Sequence, residues 1–310
     1  MIPIYLAPME SITGHIFRNT INEMFGGIDR FYTPFIVPIE KRDFKRRELN
    51  DILPENNKGI EIVPQILTND SGAFIKTADN LLEYGYSEIN LNLGCPSGTV
   101  SSKFRGAGFL SKTKELDEFL YKVYEYYENK HVKVSVKTRI GIESESEFDE
   151  ILDIFNKYPI SELTIHPRLL KDYYKNEVHM NIFEDAYNRA KMPICYNGDV
   201  CKVEDYSKIA GKYEKVSGIM IGRGLLANPI LAKNIKENRN ELSDISKIVE
   251  FTLNLADKYE SEFNSGVNAL FKMKELWSYL YKNYGDEKLW KKIKKSKKLD
   301  EYKDIVKNTF

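Results

Sequence analysis

A cysteine held at a turn is a residue type suited to moving a proton. In the segment NLNLGCPS (90–97), Cys95 stands between Gly94 and Pro96, directly after a run that reads as a strand. A free cysteine is most often a small buried hydrophobe, but a Gly-Cys-Pro turn at a strand end holds the thiol outward. With an ordinary pKa of about 8.5 it is mostly protonated at neutral pH, and so is a general acid for a carbanion formed beside it. Cys195 lies inside a strand-like run and Cys201 beyond a turn, and both read as structural. No C-x-x-C pair or His/Cys spacing suggests a metal, and none is expected.

Other polar residues gather at the ends of similar runs: PME (Pro8, Met9, Glu10), Gln65, Lys137-Thr138-Arg139, His166-Pro167-Arg168, NGD (Asn197, Gly198, Asp199) and GRG (Gly222, Arg223, Gly224). Singly, each has an ordinary explanation: a strand-end amide, a snorkelling lysine, a satisfied core histidine, a plain turn. With the Cys95 segment they make seven, at the same register of seven runs, which chance does not explain.

The elements that position them are eight runs rich in β-branched and aromatic residues: 4–7, 31–36, 60–66, 87–92, 132–138, 162–166, 193–197 and 218–222. Helical spacing fills the gaps between most of them, as at 71–84, 114–127, 145–158 and 181–190. That alternation predicts an α/β fold, a (β/α)8 TIM barrel over residues 1–238, with its site at the C-terminal ends of the strands. An open doubly wound sheet would be expected to carry G-x-G-x-x-G after its first strand, and none is there. After 238 the strand signals stop. Helical patterns at 243–262, 267–283 and 286–297 predict an all-helical domain over residues 239–310.

In such a barrel the loops after strands seven and eight commonly hold a phosphate, and Gly198, Gly222 and Gly224 let backbone N–H groups approach one. Arg223 adds a charged fork. Lys137 and Gln65 suit the carbonyl edge of an isoalloxazine, where a cation stabilises reduced flavin. The set fits FMN better than a dinucleotide.

Lysines and arginines equal acidic residues, 46 against 46, yet residues 265–310 hold 12 Lys against 6 Asp plus Glu. A basic tail on an acidic body points to a polyanion. No apolar run approaches the ~18 residues of a membrane span, and MIPIYLAP lacks the features of a secretory signal, so a cytoplasmic protein without a membrane partner is expected. Nothing in the sequence points to a protein partner.

APMESITG (7–14), PQILTND (64–70), NLNLGCPS, VKTRIGI (136–142), the His166 strand end, YNGDV (196–200) and MIGRGLLANP (220–229) together resemble the tRNA-dihydrouridine synthase family, in order along the barrel. MKELWSYLYKNY (273–284) extends the likeness more loosely. The NLGCP segment is the most specific; the NGD and GRG turns occur in other flavin barrels. The resemblance implies that Pro8, Met9, Gln65, Lys137, His166, Asn197, Gly198, Asp199, Gly222 and Arg223 contact FMN, and Glu10 is grouped with them. It implies that Asn92 orients a uracil in RNA, that hydride goes from reduced FMN to C6, and that Cys95 protonates C5. NADPH or NADH would be the reductant. Pro167 and Ser11 depart from the pattern, standing where small residues and glycine are usual.

Lys103, Arg105, Arg139 and Arg168 are expected to contact the substrate. Reaching a base inside folded tRNA requires extruding it while the backbone is gripped. The lysines at 288, 291, 292, 294, 295, 297 and 298 suit that, with Leu289, Trp290 and Ile293 packing their helix, as does KRDFKRRE (41–48) after the second strand. Binding of that kind falls steeply with salt. The alternatives are a ribosomal RNA substrate, a flavin barrel acting on a free small molecule such as a pyrimidine, and an RNA-binding protein that has lost catalysis.

Overall fold

Parallel strands covered on both faces read as nearly continuous apolar runs, and all eight runs contribute strands. The computed structural model describes residues 1–40 and 43–309. Its strands are β1 (Ile4–Leu6), β2 (Arg30–Tyr32), β3 (Ile62–Val63), β4 (Gln65–Ile66), β5 (Glu88–Leu93), β6 (Lys133–Arg139), β7 (Leu163–His166), β8 (Ile194–Tyr196) and β9 (Gly218–Ile221). They pair in parallel in the order β3-β2-β1-β9-β8-β7-β6-β5-β4. The two ends of that order are halves of one run, interrupted at Pro64, which has no N–H to donate. The Pro64 carbonyl still accepts from the Asn90 amide at 2.9 Å. The sheet therefore closes as an eight-run (β/α)8 barrel. The run at 31–36 is a strand only at its start; beyond Pro34 a single bridge joins Ile36 to Ile66.

The helices are α1 (His15–Met24), α2 (Arg46–Ile52), α3 (Ser71–Glu83), α4 (Gly98–Ser101), α5 (Thr113–Tyr127), α6 (Glu147–Phe155), α7 (Met180–Arg189), α8 (Val203–Lys212), α9 (Arg223–Ala227) and α10 (Leu231–Glu237). α5 shows why: Leu116, Phe119, Leu120, Val123, Tyr124 and Tyr127 recur at helical spacing and are all buried. The lumen is filled. Tyr5, Ala7, Tyr32, Val63, Cys195 and Met220 pack inside it, and the Glu162 carboxylate accepts from Tyr5 (3.3 Å), Tyr32 (3.2 Å) and Ser217 (2.7 Å).

Asn238, in left-handed backbone, ends α10. Beyond it run α11 (Ile245–Phe263), α12 (Gly266–Tyr284), α13 (Glu287–Lys295) and α14 (Leu299–Thr309). The last helix goes beyond the sequence expectation: only Leu299, Tyr302 and Val306 are buried along it, too sparse a pattern to read unaided. Asp244, Ser265 and Asp286 cap α11, α12 and α13 by accepting backbone N–H bonds. These helices share one continuous apolar core with the barrel. Phe251 of α11 meets Phe17 and Phe25 of the α1 region edge-on, with centroids 6.1 and 5.2 Å apart. No helix is long and apolar enough to cross a membrane, and no group of three or more His, Cys, Asp or Glu side chains is placed to hold a metal, among the described residues.

Because Phe251 is fully buried at that seam, Phe251→Ala should cost about 3–5 kcal/mol. Urea unfolding followed by circular dichroism should still give one transition, at lower midpoint. A separate early loss of helix with the barrel left intact would contradict a shared core.

Candidate active site

Strand alternation decides what enters the barrel mouth. In β5, Ile89, Leu91 and Leu93 pack outward into the core, so Asn90 and Asn92 face inward. Gln65 donates to the Asn90 oxygen and accepts from the Asn92 amide, both at 2.7 Å, and Asn90 donates to the Ser135 hydroxyl at 3.0 Å. A buried amide layer of this kind is rigid when its partners are supplied. The Asn92 side-chain oxygen accepts from the N–H groups of Gly94 (3.0 Å) and Cys95 (2.9 Å). Thus Asn92 shapes the cysteine turn itself.

The loop that follows folds back onto Cys95, whose carbonyl accepts from Ala107 at 3.1 Å. Gly106 permits this: its φ is +56°, and a Cβ there would sit 2.8 Å from the Cys95 carbonyl oxygen. Cys95 is half-buried. Burial pushes its thiol pKa up and the Glu10 charge adds to that, while the Ser97 N–H, Arg139 and Lys137 pull the other way. The balance favours the protonated thiol.

Around it lies a crowd of cations. Burial, then the neighbouring Arg139, hold the Lys137 ammonium down to about 8, and it has no hydrogen-bond or ion-pair partner among the described residues. Arg139 is fully buried, and its guanidinium donates to the carbonyls of Gly94 (3.0 Å), Leu169 (2.7 Å) and Tyr173 (2.6 Å). Expected against substrate, it has three of its donors tying three loops together. Arg168, also buried, binds Asp199 at 2.5 and 3.1 Å and donates to Nε2 of His166 at 3.1 Å. Because arginine only donates, Nε2 is the lone-pair nitrogen and the ring proton sits on Nδ1. Burial and the surrounding cations keep His166 neutral by lowering its pKa well below the usual value. Arg223 donates to Asp199 at 2.5 Å and to the Tyr174 carbonyl at 3.3 Å. An incoming phosphate would share Arg223 with Asp199.

The remaining candidates separate by task. Met9 closes the turn after β1, donating to the Thr13 hydroxyl at 2.8 Å, and Glu10 pairs with Arg47 at 2.6 Å. Asn197 donates to the Met220 carbonyl at 2.8 Å. Two of the three glycines are required by the protein's own packing: a Cβ on Gly198 would lie 2.0 Å from the Tyr196 hydroxyl, and one on Gly224 2.0 Å from the Val200 carbonyl. At Gly222 a Cβ would reach Ala7 and Met9 at 3.4 Å, so that glycine lies beside the Pro8–Met9 turn. Lys103 is exposed, and Arg105 is held near it by Asn69 at 3.3 Å. Cys195 is buried, but Cys201 is exposed, not packed as its position had suggested. Pro167 is spanned by a bond from Arg168 N–H to His166 carbonyl at 2.7 Å, a tight turn that suits proline's fixed φ. Ser11 adopts φ +67°, the region that favours glycine. Its hydroxyl donates to Glu275 at 2.6 Å, and Lys272 donates to its carbonyl. In KRDFKRRE, Lys41 and Arg42 lie outside the described residues, while Arg46 and Arg47 open α2.

Two participants went unread in the sequence. Asn90 was legible, since NLNL alternation places it beside Asn92. Tyr174, whose ring lies 5.2 Å from the guanidinium carbons of both Arg139 and Arg223 and stacks near His166, sits in an irregular loop with no pattern to reveal it.

A closed parallel barrel with its polar groups at the strand C-termini defines the class: a (β/α)8 enzyme fold with its chemistry at that mouth. The chain matches the family model for dihydrouridine synthase (Dus) over residues 5–310 and belongs to that family. It is 25% identical over 321 residues to a tRNA-dihydrouridine(16) synthase of Neisseria meningitidis serogroup B, covering 98% of this chain and 93% of that protein. A tRNA-dihydrouridine(16) synthase of Haemophilus influenzae is 25% identical, covering 94% of each. Morphinone reductase shares the fold at 10% identity, with a TM-score of 0.53 over 79% of this chain and 88% of that one.

Because the thiol pKa is raised, iodoacetamide labelling of Cys95, followed by mass spectrometry of its own peptide, should accelerate about tenfold per pH unit between pH 7 and 8.5. A plateau below pH 8 would reveal a thiolate and contradict the assignment.

Proposed function

We propose that this chain reduces uridines of tRNA to 5,6-dihydrouridine, with FMN as its resident cofactor and NADPH or NADH as reductant. The observation that carries the reading is the Lys137 ammonium, inside the mouth without a partner among the described residues, beside further cations and a half-buried thiol. A site with that surplus of positive charge favours an anionic guest. The residues present fit a flavin: Lys137 and Gln65 would suit its carbonyl edge, Pro8, Met9, Asn197, Gly198 and Gly222 would border it, and Arg223 would meet its phosphate, while the Asp199 carboxylate, itself an anion, would serve by holding Arg168 and Arg223 in place. His166, kept neutral, offers hydrogen bonds without adding charge.

A reduced FMN held there would supply the hydride for C6 of the uracil. Lys137 lowers the energy of negative charge on that side of the mouth. As charge develops on the uracil, the Cys95 thiol delivers its proton to C5. Asn92 holds the Cys95 backbone, and Arg139 holds Gly94 and the facing loops, so the thiol is presented at a fixed place. Lys103 and Arg105, on the same loop, are available to the RNA.

The family relationship and the basic helices favour RNA over a free pyrimidine. The seven lysines of 288–298 are exposed and unpaired among the described residues, while Leu289 and Ile293 are buried and Trp290 stacks on Tyr281 at 5.7 Å. Such a face binds phosphates through counterion release.

Purified protein should carry, or take up, FMN. In Cys95→Ala, flavin reduction by the nicotinamide should stay within about twofold of native, while reoxidation of the flavin by tRNA slows by ~100-fold or more. Equal loss of both half-reactions would make Cys95 structural and contradict its role as acid.

A further inference from the structure

A cavity of about 330 Å3 lies between the barrel and the C-terminal helices, at the small end of the range for ligand sites. The turn after β1, the start of α1, α2, α11 and α12 enclose it, and it contains none of the residues assigned to the flavin. It is nonetheless next door. Arg47, on its wall, pairs with Glu10 at 2.6 Å, and the Glu10 charge reaches Cys95.

The wall has three kinds of surface. Phe263 is stacked on Tyr259 with centroids 5.7 Å apart and planes 7° from parallel, a flat aromatic platform. Asn268 is exposed, and its side-chain amide has no partner among the described residues. Arg46 is exposed and has no ion pair among the described residues. Of the acidic groups on the same wall, Asp51 accepts from the His15 amide at 2.6 Å and lies 3.7 Å from Arg18, while Glu262 accepts from the Asn50 amide at 2.5 Å and keeps its charge, against which stand Arg46, Arg47 and Lys272. The wall thus offers an aromatic pair, an amide that both donates and accepts, and a positive charge. Those are the elements that bind a base, read its edge and hold its phosphate.

We infer that this cavity is a second nucleotide subsite, which takes one nucleotide of the RNA flanking the uridine that enters the Cys95 site. The inference rests on the proposed reduction of tRNA. Extruding one base breaks its stacking with its neighbours, and a nearby aromatic pocket compensates for part of that loss. The subsite also gives the C-terminal helices a direct part in choosing the substrate, since Phe263, Asn268 and Lys272 come from α11 and α12.

The test uses FMN-loaded protein and tRNA from a strain without dihydrouridine, comparing native protein with Arg46→Ala and with Asn268→Trp, which fills the cavity. Thermal unfolding midpoints check that both variants fold. The expected result is a rise of tenfold or more in KM for tRNA in each variant, with KM for the nicotinamide within twofold of native. Unchanged tRNA KM in both variants overturns the subsite. A rise in nicotinamide KM instead would make the cavity a site for the reductant and overturn it as well. If native protein does not pass electrons to tRNA at all, the parent reading fails and takes the subsite with it; that outcome is distinct from native turnover with insensitive variants.

Discussion

Four cationic side chains, Lys137, Arg139, Arg168 and Arg223, converge on the barrel mouth, where Asp199 answers two of them. Like charges brought together in a partly desolvated place raise one another's energy, and the protein meets that cost unevenly. Arg139 keeps its charge, with three backbone carbonyls taking its N–H groups in place of water. Arg168 and Arg223 share Asp199. His166 gives up its charge altogether. Lys137 alone is left without an answer among the described residues, and burial, with Arg139 beside it, lowers its pKa. A bound anion would restore the balance, which makes the mouth a site organised for a negatively charged guest and for negative charge formed during reaction.

The thiol belongs to the same arrangement. Cys95 is held by backbone bonds running from the Gln65–Asn92 amide layer and from Ala107, so its position is set by elements that do not depend on its own side chain. Across the mouth, α12 grips the first loop through Ser11, with Glu275 taking its hydroxyl and Lys272 its carbonyl. The C-terminal helices thus support the rim of the active site directly, and their apolar core is continuous with the barrel's. The barrel mouth and the C-terminal helices are mechanically joined.

Much of this was legible in the sequence, because the barrel's signals are local. Eight apolar runs, the Gly-Cys-Pro turn and the polar strand ends each declare themselves within a few residues. What escaped depends on contacts between distant segments. Nothing near Arg139 indicates that Leu169 and Tyr173 would take up its donors, and nothing near Gly198 indicates that the Tyr196 hydroxyl would fill the space a side chain needs. Tyr174 lies in an irregular loop, and the cavity beside Arg46 exists only because α2, α11 and α12 meet there. Ser11 stands where glycine is usual, and its left-handed backbone is held by the bond to Glu275 of α12.

In the proposed reaction this mouth reduces uridine in tRNA with Cys95 as the acid. The most direct measurement is mass spectrometry of tRNA nucleosides from a strain lacking this gene and any paralogue, with each lost dihydrouridine mapped to its position. The account predicts that dihydrouridine disappears from at least one position, and that the native gene restores it while the Cys95→Ala gene does not. Full dihydrouridine at every position in the deleted strain would contradict it.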